Sequence, residues 1–188
     1  MIAGFRGVRG GGATARFAQV EALLLRDLVS QVAALVGDGL PPQRDETTDD
    51  GETAALEKLV GLSDNSELPD DPILARLLPD AYRDDEVAAG EFRRYTEHSL
   101  RAGKVAAAQT VLDTLPEGGG RVLLTEDQAQ AWLRSLNDVR IALGVKLDVT
   151  EDRDELLDLA EQGDEDAVAQ WVYDWLSLLQ STLVQALW

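Results

Sequence analysis

Between Trp132 and Glu151 the chain reads WLRSLNDVRIALGVKLDVTE, and this run decides how the rest is organised. Ala129, Trp132, Leu133, Leu136 and Val139 follow the i, i+3, i+4, i+7 spacing that gathers apolar side chains on one face of a helix. The start is marked by Thr125-Glu-Asp-Gln128, a capping box in which hydroxyl and amide satisfy two otherwise orphaned backbone donors. Gly144 suits the C-terminal cap. Asn137, Asp138 and Arg140 sit inside this helix although Asn and Asp are indifferent helix formers, so packing or hydrogen bonding must hold them there. Their structural reading is an Asp138–Arg pair that fixes helix order; their functional reading is ligand recognition.

Working outward, residues 2–18 read as a hairpin. Short alternating stretches surround Arg6-Gly-Val-Arg9, then Gly10-Gly11-Gly12, then Ala13 to Phe17. A helix follows from about Phe17 to Val36 with Val20, Leu24, Leu28, Val32 and Leu35 as its apolar face, ended by Gly37. Thr53 caps a short helix through Val60. Asp71-Pro72 is a firmer start signal, an acid at the cap and proline at the first helical position, for a helix from Ile73 to Leu78. Asp84 opens a long helix towards Leu115, where Gly90 and Gly103 allow a bend. Arg121 to Leu124 is a short strand beside the hairpin. Thr150 caps another short helix. The last helix begins at Asp164 and carries Val168, Trp171, Val172, Trp175, Leu179 and Leu183 in one stripe. The expectation is a mainly α protein: a bundle of six to seven helices, a small N-terminal β-hairpin and a third short strand, in one domain over residues 1–188.

The 188 residues carry a net charge of −18, and the excess is concentrated. Residues 45–71 hold ten acids against Lys58, and residues 148–166 hold ten against Arg153. The rest of the chain is balanced. Residues 38–52, rich in Pro, Asp and Thr, read as an acidic mobile loop, and 148–166 as an acidic segment. There is no cysteine and one histidine, His98, which removes disulfides, thiolate metal sites, cysteine nucleophiles and an all-histidine zinc site within one chain. No cofactor or metal is expected. The start, Met1-Ile-Ala-Gly-Phe-Arg6, lacks the apolar core of a secretory signal, and no segment has the ~20 uncharged residues of a membrane span. A cytoplasmic protein without membrane contact is expected.

Several motifs fail on inspection. Gly10-x-Gly12-x-x-Ala15 has the dinucleotide-binding spacing, but Arg6 and Arg9 precede it where a buried strand is needed, so a turn is the better reading. Counted from Asp45, the acidic loop puts Gly51 at the seventh place of a calcium loop instead of the sixth. Arg94, His98 and Arg101 share a helix face, with Lys104 one turn on: a cationic stripe, or a solvated face paired with Glu91 and Glu97. Trp171 and Trp175 are at core spacing, Tyr173 points elsewhere, and Trp188 either finishes the core or meets a partner. Nothing assembles a nucleophile–base pair, so no catalytic residue is assigned and no enzyme is expected.

Three blocks and a short run resemble one family. They are Asp71-Pro-Ile-Leu-Ala-Arg-Leu-Leu-Pro-Asp-Ala-Tyr82, Glu91-Phe-Arg-Arg-Tyr-Thr96, the Trp132–Glu151 run, and Tyr173-Asp-Trp-Leu176. The chain is similar, over most of its length, to a small actinobacterial family of oxidative-stress transcriptional regulators, AosR, also catalogued as a domain of unknown function. The resemblance implies a cytosolic regulator of redox and cysteine-supply genes that acts mainly by protein contact with the transcription machinery, with a sigma factor or RNA polymerase as partner. One departure stands against it: redox sensing in such a regulator would most directly use a cysteine pair, and this chain has none, so a response to oxidants would run through a partner or through Met1. Direct DNA contact through Arg6, Arg9 and Arg16, or through Arg93, Arg94 and Arg101, is the competing route, and His98 lies on the same helix. An acidic helical scaffold without DNA contact, including a homodimer, is the alternative function.

Overall fold

The computed structural model of the protein describes residues 4–38, 40, 69–82, 85–147 and 164–188. Strands β1 (Arg6–Gly7) and β2 (Ala13–Phe17) are followed by helices α1 (Gln19–Gly37), α2 (Pro72–Leu77) and α3 (Glu86–Thr114). Strand β3 (Gly120–Leu124) leads into α4 (Glu126–Lys146), and α5 (Asp164–Leu187) ends the fold. The described residues thus form five helices and one three-stranded sheet, fewer helices than the six to seven expected. The short helices expected at 53–60 and after Thr150 lie outside the described residues, as do most of the 38–52 loop and residues 148–163.

The sheet is antiparallel in the order β1-β2-β3, with Arg6 opposite Thr14, Thr14 opposite Leu123 and Arg16 opposite Arg121. The β1–β2 connection passes through Gly10, Gly11 and Gly12, all at positive φ, where residues with a Cβ are strained. At Gly12 a Cβ would also stand 2.2 Å from the Leu124 carbonyl oxygen, so the turn closes only around glycine.

Alternation along the strands buries Ala13, Ala15, Phe17, Val122 and Leu124 on the inner face. There they meet Trp132 of α4, which is wholly buried and packs against Phe5 and Phe17 with ring centroids 5.5 and 5.8 Å away. Its indole N–H donates to Thr114 Oγ1 at 2.7 Å, so the buried polar atom is satisfied. Thr125 and Gln128 make the reciprocal capping box, and Asp71 accepts from the backbone N–H groups of Ile73 and Leu74.

Several side chains sit elsewhere than their spacing suggests. On α1 the buried residues are Ala22, Leu25, Val29 and Val36, while Val20 is exposed and Leu24, Leu28 and Val32 are only partly covered. This helix is apolar over most of its circumference, so the packing of α3 and α4 selects the buried stripe. Gly144 lies within α4, which continues to Lys146; its missing side chain leaves room for the Tyr173 ring, 3.5 Å from where a Cβ would stand. On α5, Trp175 is buried but Trp171 is 54% exposed and stacks on it, and Val168 is also exposed. Trp188 is 89% exposed and does not complete the core. The long helix α3 runs unbroken through Gly90 and Gly103.

Chain direction sorts the molecule into two ends. Helices α1 and α4 each start directly after a sheet strand and run about 30 Å away from it at 1.5 Å per residue. Helix α5 comes back, placing the Ala186 carbonyl against Gly7 and the Thr182 hydroxyl where it accepts from the Phe5 N–H at 3.0 Å. At the far end Leu77 and Leu78 pack with Val36, Val105 and Ile141 in a second small core. The described parts of α1 and α4 end at this far end, with Leu40 and Leu147 the last described residues there.

Candidate interaction surface

The charged residues of α3 expected to form one cationic stripe are divided. Arg101 is buried; its Nε donates to Glu97 Oε1 at 2.7 Å and its Nη1 to the Val36 carbonyl at 2.9 Å. A guanidinium there also faces the negative end of the α1 dipole. Arg93 is buried too and forms an ion pair with Asp80, just beyond α2. Lys104 reaches Asp138 of α4 at 2.7 Å. Arg94 remains exposed and His98 half-buried. Of the stripe, Arg101 and Lys104 tie helices together, and no continuous basic face survives on α3.

The Asn137, Asp138 and Arg140 group works between helices. Asp138 is buried and pairs with Lys104, not with an arginine as its sequence neighbours suggested. Burial raises its carboxyl above the ordinary aspartate value, and the hydrogen bond and charge of Lys104 pull part of the way back. Arg140 spreads over α5: Nε donates to Ser177 Oγ at 3.0 Å, Nη1 to Gln180 Oε1 and Nη2 to the Tyr173 hydroxyl at 3.3 Å. Its guanidinium also lies over the Tyr173 ring. Asn137 is exposed and accepts from Gln180 Nε2 at 3.3 Å. The sequence blocks therefore meet in space, Asp80 with Arg93 and Arg140 with Tyr173.

A different cluster faces outward. The outer side of the sheet carries Arg6 on β1, Thr14 and Arg16 on β2, and Arg121 and Leu123 on β3. Among the described residues no ion pair engages Arg6, Arg9, Arg16 or Arg121. Arg121 Nε donates to Thr14 Oγ1 at 3.2 Å, and Leu123, opposite Thr14, is 62% exposed. Arg16 and Arg121 stand directly opposite each other, with like charges about 5 Å apart at the backbone, a pairing that costs stability. Arg9 is exposed in the turn beside them. Sequence reading picked out Arg6, Arg9 and Arg16 and missed Arg121. The signal was the alternation of Arg121-Val-Leu-Leu124, which puts Arg121 and Leu123 on one face once that strand is laid against the hairpin.

The described residues thus form a helix-rich body with an arginine-bearing sheet at one end. A family described as a domain of unknown function, DUF2017, matches residues 2–187, and the chain belongs to it. It is 36% identical over 182 residues to proteins named "Oxidative stress regulator AosR" of Mycobacterium tuberculosis and Mycobacterium bovis, covering 89% of this chain and 78% of each relative. No solved structure matches the chain. Among the described residues, no helix is long and apolar enough to cross a membrane.

Proposed function

We propose that this protein is a non-enzymatic, cytoplasmic regulator of the oxidative-stress response that works by contact with the transcription machinery and adjusts redox and cysteine-supply genes. The observation that carries this reading is the similarity, across nearly the whole chain, to relatives named oxidative stress regulators. The roles of the buried and part-buried ionisable groups agree with it: Arg101, Asp138 and Arg140 are each engaged in holding helices to one another. Because the chain has no cysteine, oxidant sensing belongs to a partner in this scheme. A scaffold role without DNA contact is a second reading, favoured by the exposed Trp188 and Trp171.

The test is a deletion of the gene in its host, followed by oxidant challenge and transcript measurement. Failure to induce thiol-synthesis genes, restored by the wild-type chain, is the expected outcome, together with recovery of a sigma factor or polymerase subunit on the tagged protein. Unchanged transcripts and no polymerase component under stress would sink it.

A further inference from the structure

The outer face of the sheet asks for an occupant. Three arginines share the outer face of the three-stranded sheet with an exposed leucine, Leu123 on the edge strand β3, and among the described residues no strand residue on that face is a carboxylate. The Arg16–Arg121 opposition is a placement that folding alone disfavours. The charge of the whole molecule narrows the choice. At −18 the chain repels a long polyanion, whereas a short acidic segment needs only the local field of the arginines. Two features speak against nucleic acid. The exposed Leu123 gains nothing from a phosphate, and among the described residues no aromatic side chain of the strands points to this face to offer a base a stacking platform. A protein segment that pairs apolar side chains with carboxylates satisfies both elements. Guanidinium groups bind carboxylates through two parallel hydrogen bonds, and arginine is enriched in protein interfaces for that reason.

We propose that Arg6, Arg16 and Arg121, together with Leu123 on the same sheet face, form the docking surface for an acidic, leucine-bearing segment of a partner protein. This rests on the reading of the chain as a contact protein and adds the surface and the chemistry of the contact.

The partner need not be identified for the test. A displayed library of random peptides is selected on the wild-type protein at about 0.15 M salt, and the selected peptides are re-measured by fluorescence anisotropy. Selected peptides should be rich in Asp, Glu and Leu. Arg16→Ser with Arg121→Ser should weaken them by at least about tenfold and Leu123→Ser by a smaller factor, the size expected of central interface anchors. Arg134→Ser, an equal charge change per site on the exposed side of α4, should leave affinity unchanged. Circular dichroism confirms that each variant folds. Peptides without acidic enrichment, or binding equally well to the double variant, would overturn the proposal. So would a short DNA duplex that binds this face more tightly than the peptides, with a log–log salt slope of about −3. These results are independent of the transcript measurements, so failure of the surface and failure of the regulatory role can be told apart.

Discussion

Asp138 is a single buried carboxylate whose ionised form is held at some cost in stability. Its folded-state carboxyl binds a proton more readily than an ordinary aspartate because burial outweighs the help of Lys104. A group raised in the folded state contributes stability that is full below its unfolded value and is lost as pH climbs through the folded value. Denaturant unfolding of wild type and Asp138→Asn across mildly acidic to neutral pH should therefore show the wild type losing ground to the variant as pH rises, then a constant difference. A wild type that instead gains on the variant as pH rises would mean that Lys104 dominates. Arg101 gives the complementary case. Arg101→Ala strands the buried Glu97 carboxylate and removes the donor to Val36, and should cost about 3–5 kcal/mol by chemical denaturation. Adding Glu97→Leu should recover much of that loss; no recovery would show that the bond to the Val36 carbonyl, and not the stranded charge, carries the cost.

At the scale of elements, what could be seen in the sequence was what is encoded locally. The Thr125–Gln128 box and the Asp71-Pro72 start are complete within four residues, and both helices begin where those signals stand. The glycine run between β1 and β2 was equally plain, and its positions are unequal. At Gly10 a Cβ meets nothing, so Gly10→Ala should cost only the positive-φ strain, about 1 kcal/mol; Gly12→Ala adds a collision with the Leu124 carbonyl and should cost about 3 kcal/mol or more. Equal thermal shifts for the two would disprove the close approach of the turn to Leu124. Hidden from the sequence were choices made by neighbours. The apolar circumference of α1 allows several buried faces. The α3 arginines have periodic spacing but partners, Asp80 and the Val36 carbonyl, that lie far off or on the backbone. Arg121 joins Arg16 only through strand register. Trp171 has the same helical spacing as its buried neighbour Trp175 and yet faces outward.

For the whole molecule the decisive quantity is where charge sits relative to the fold. The ion pairs Arg93–Asp80, Arg101–Glu97 and Lys104–Asp138 each contain at least one side chain that is less than a tenth exposed, and ions in solution screen such pairs poorly. The surplus of −18 is instead carried largely by residues 45–71 and 148–166, and charge of one sign destabilises a compact state through self-repulsion. Salt therefore acts unequally on the two. Raising ionic strength from about 0.01 M to about 0.15 M shortens the screening length from about 30 Å to about 8 Å, which relieves repulsion among the excess acids while leaving these partly buried pairs nearly intact. The melting temperature should rise, and each kcal/mol gained corresponds to about 2–4 °C for a chain of this size. The same added salt should weaken an acidic segment held on the Arg6, Arg16 and Arg121 face, because exposed guanidinium groups are the ones that screening reaches. A melting temperature that falls with salt would show instead that exposed ion pairs outweigh the repulsion among the excess acids.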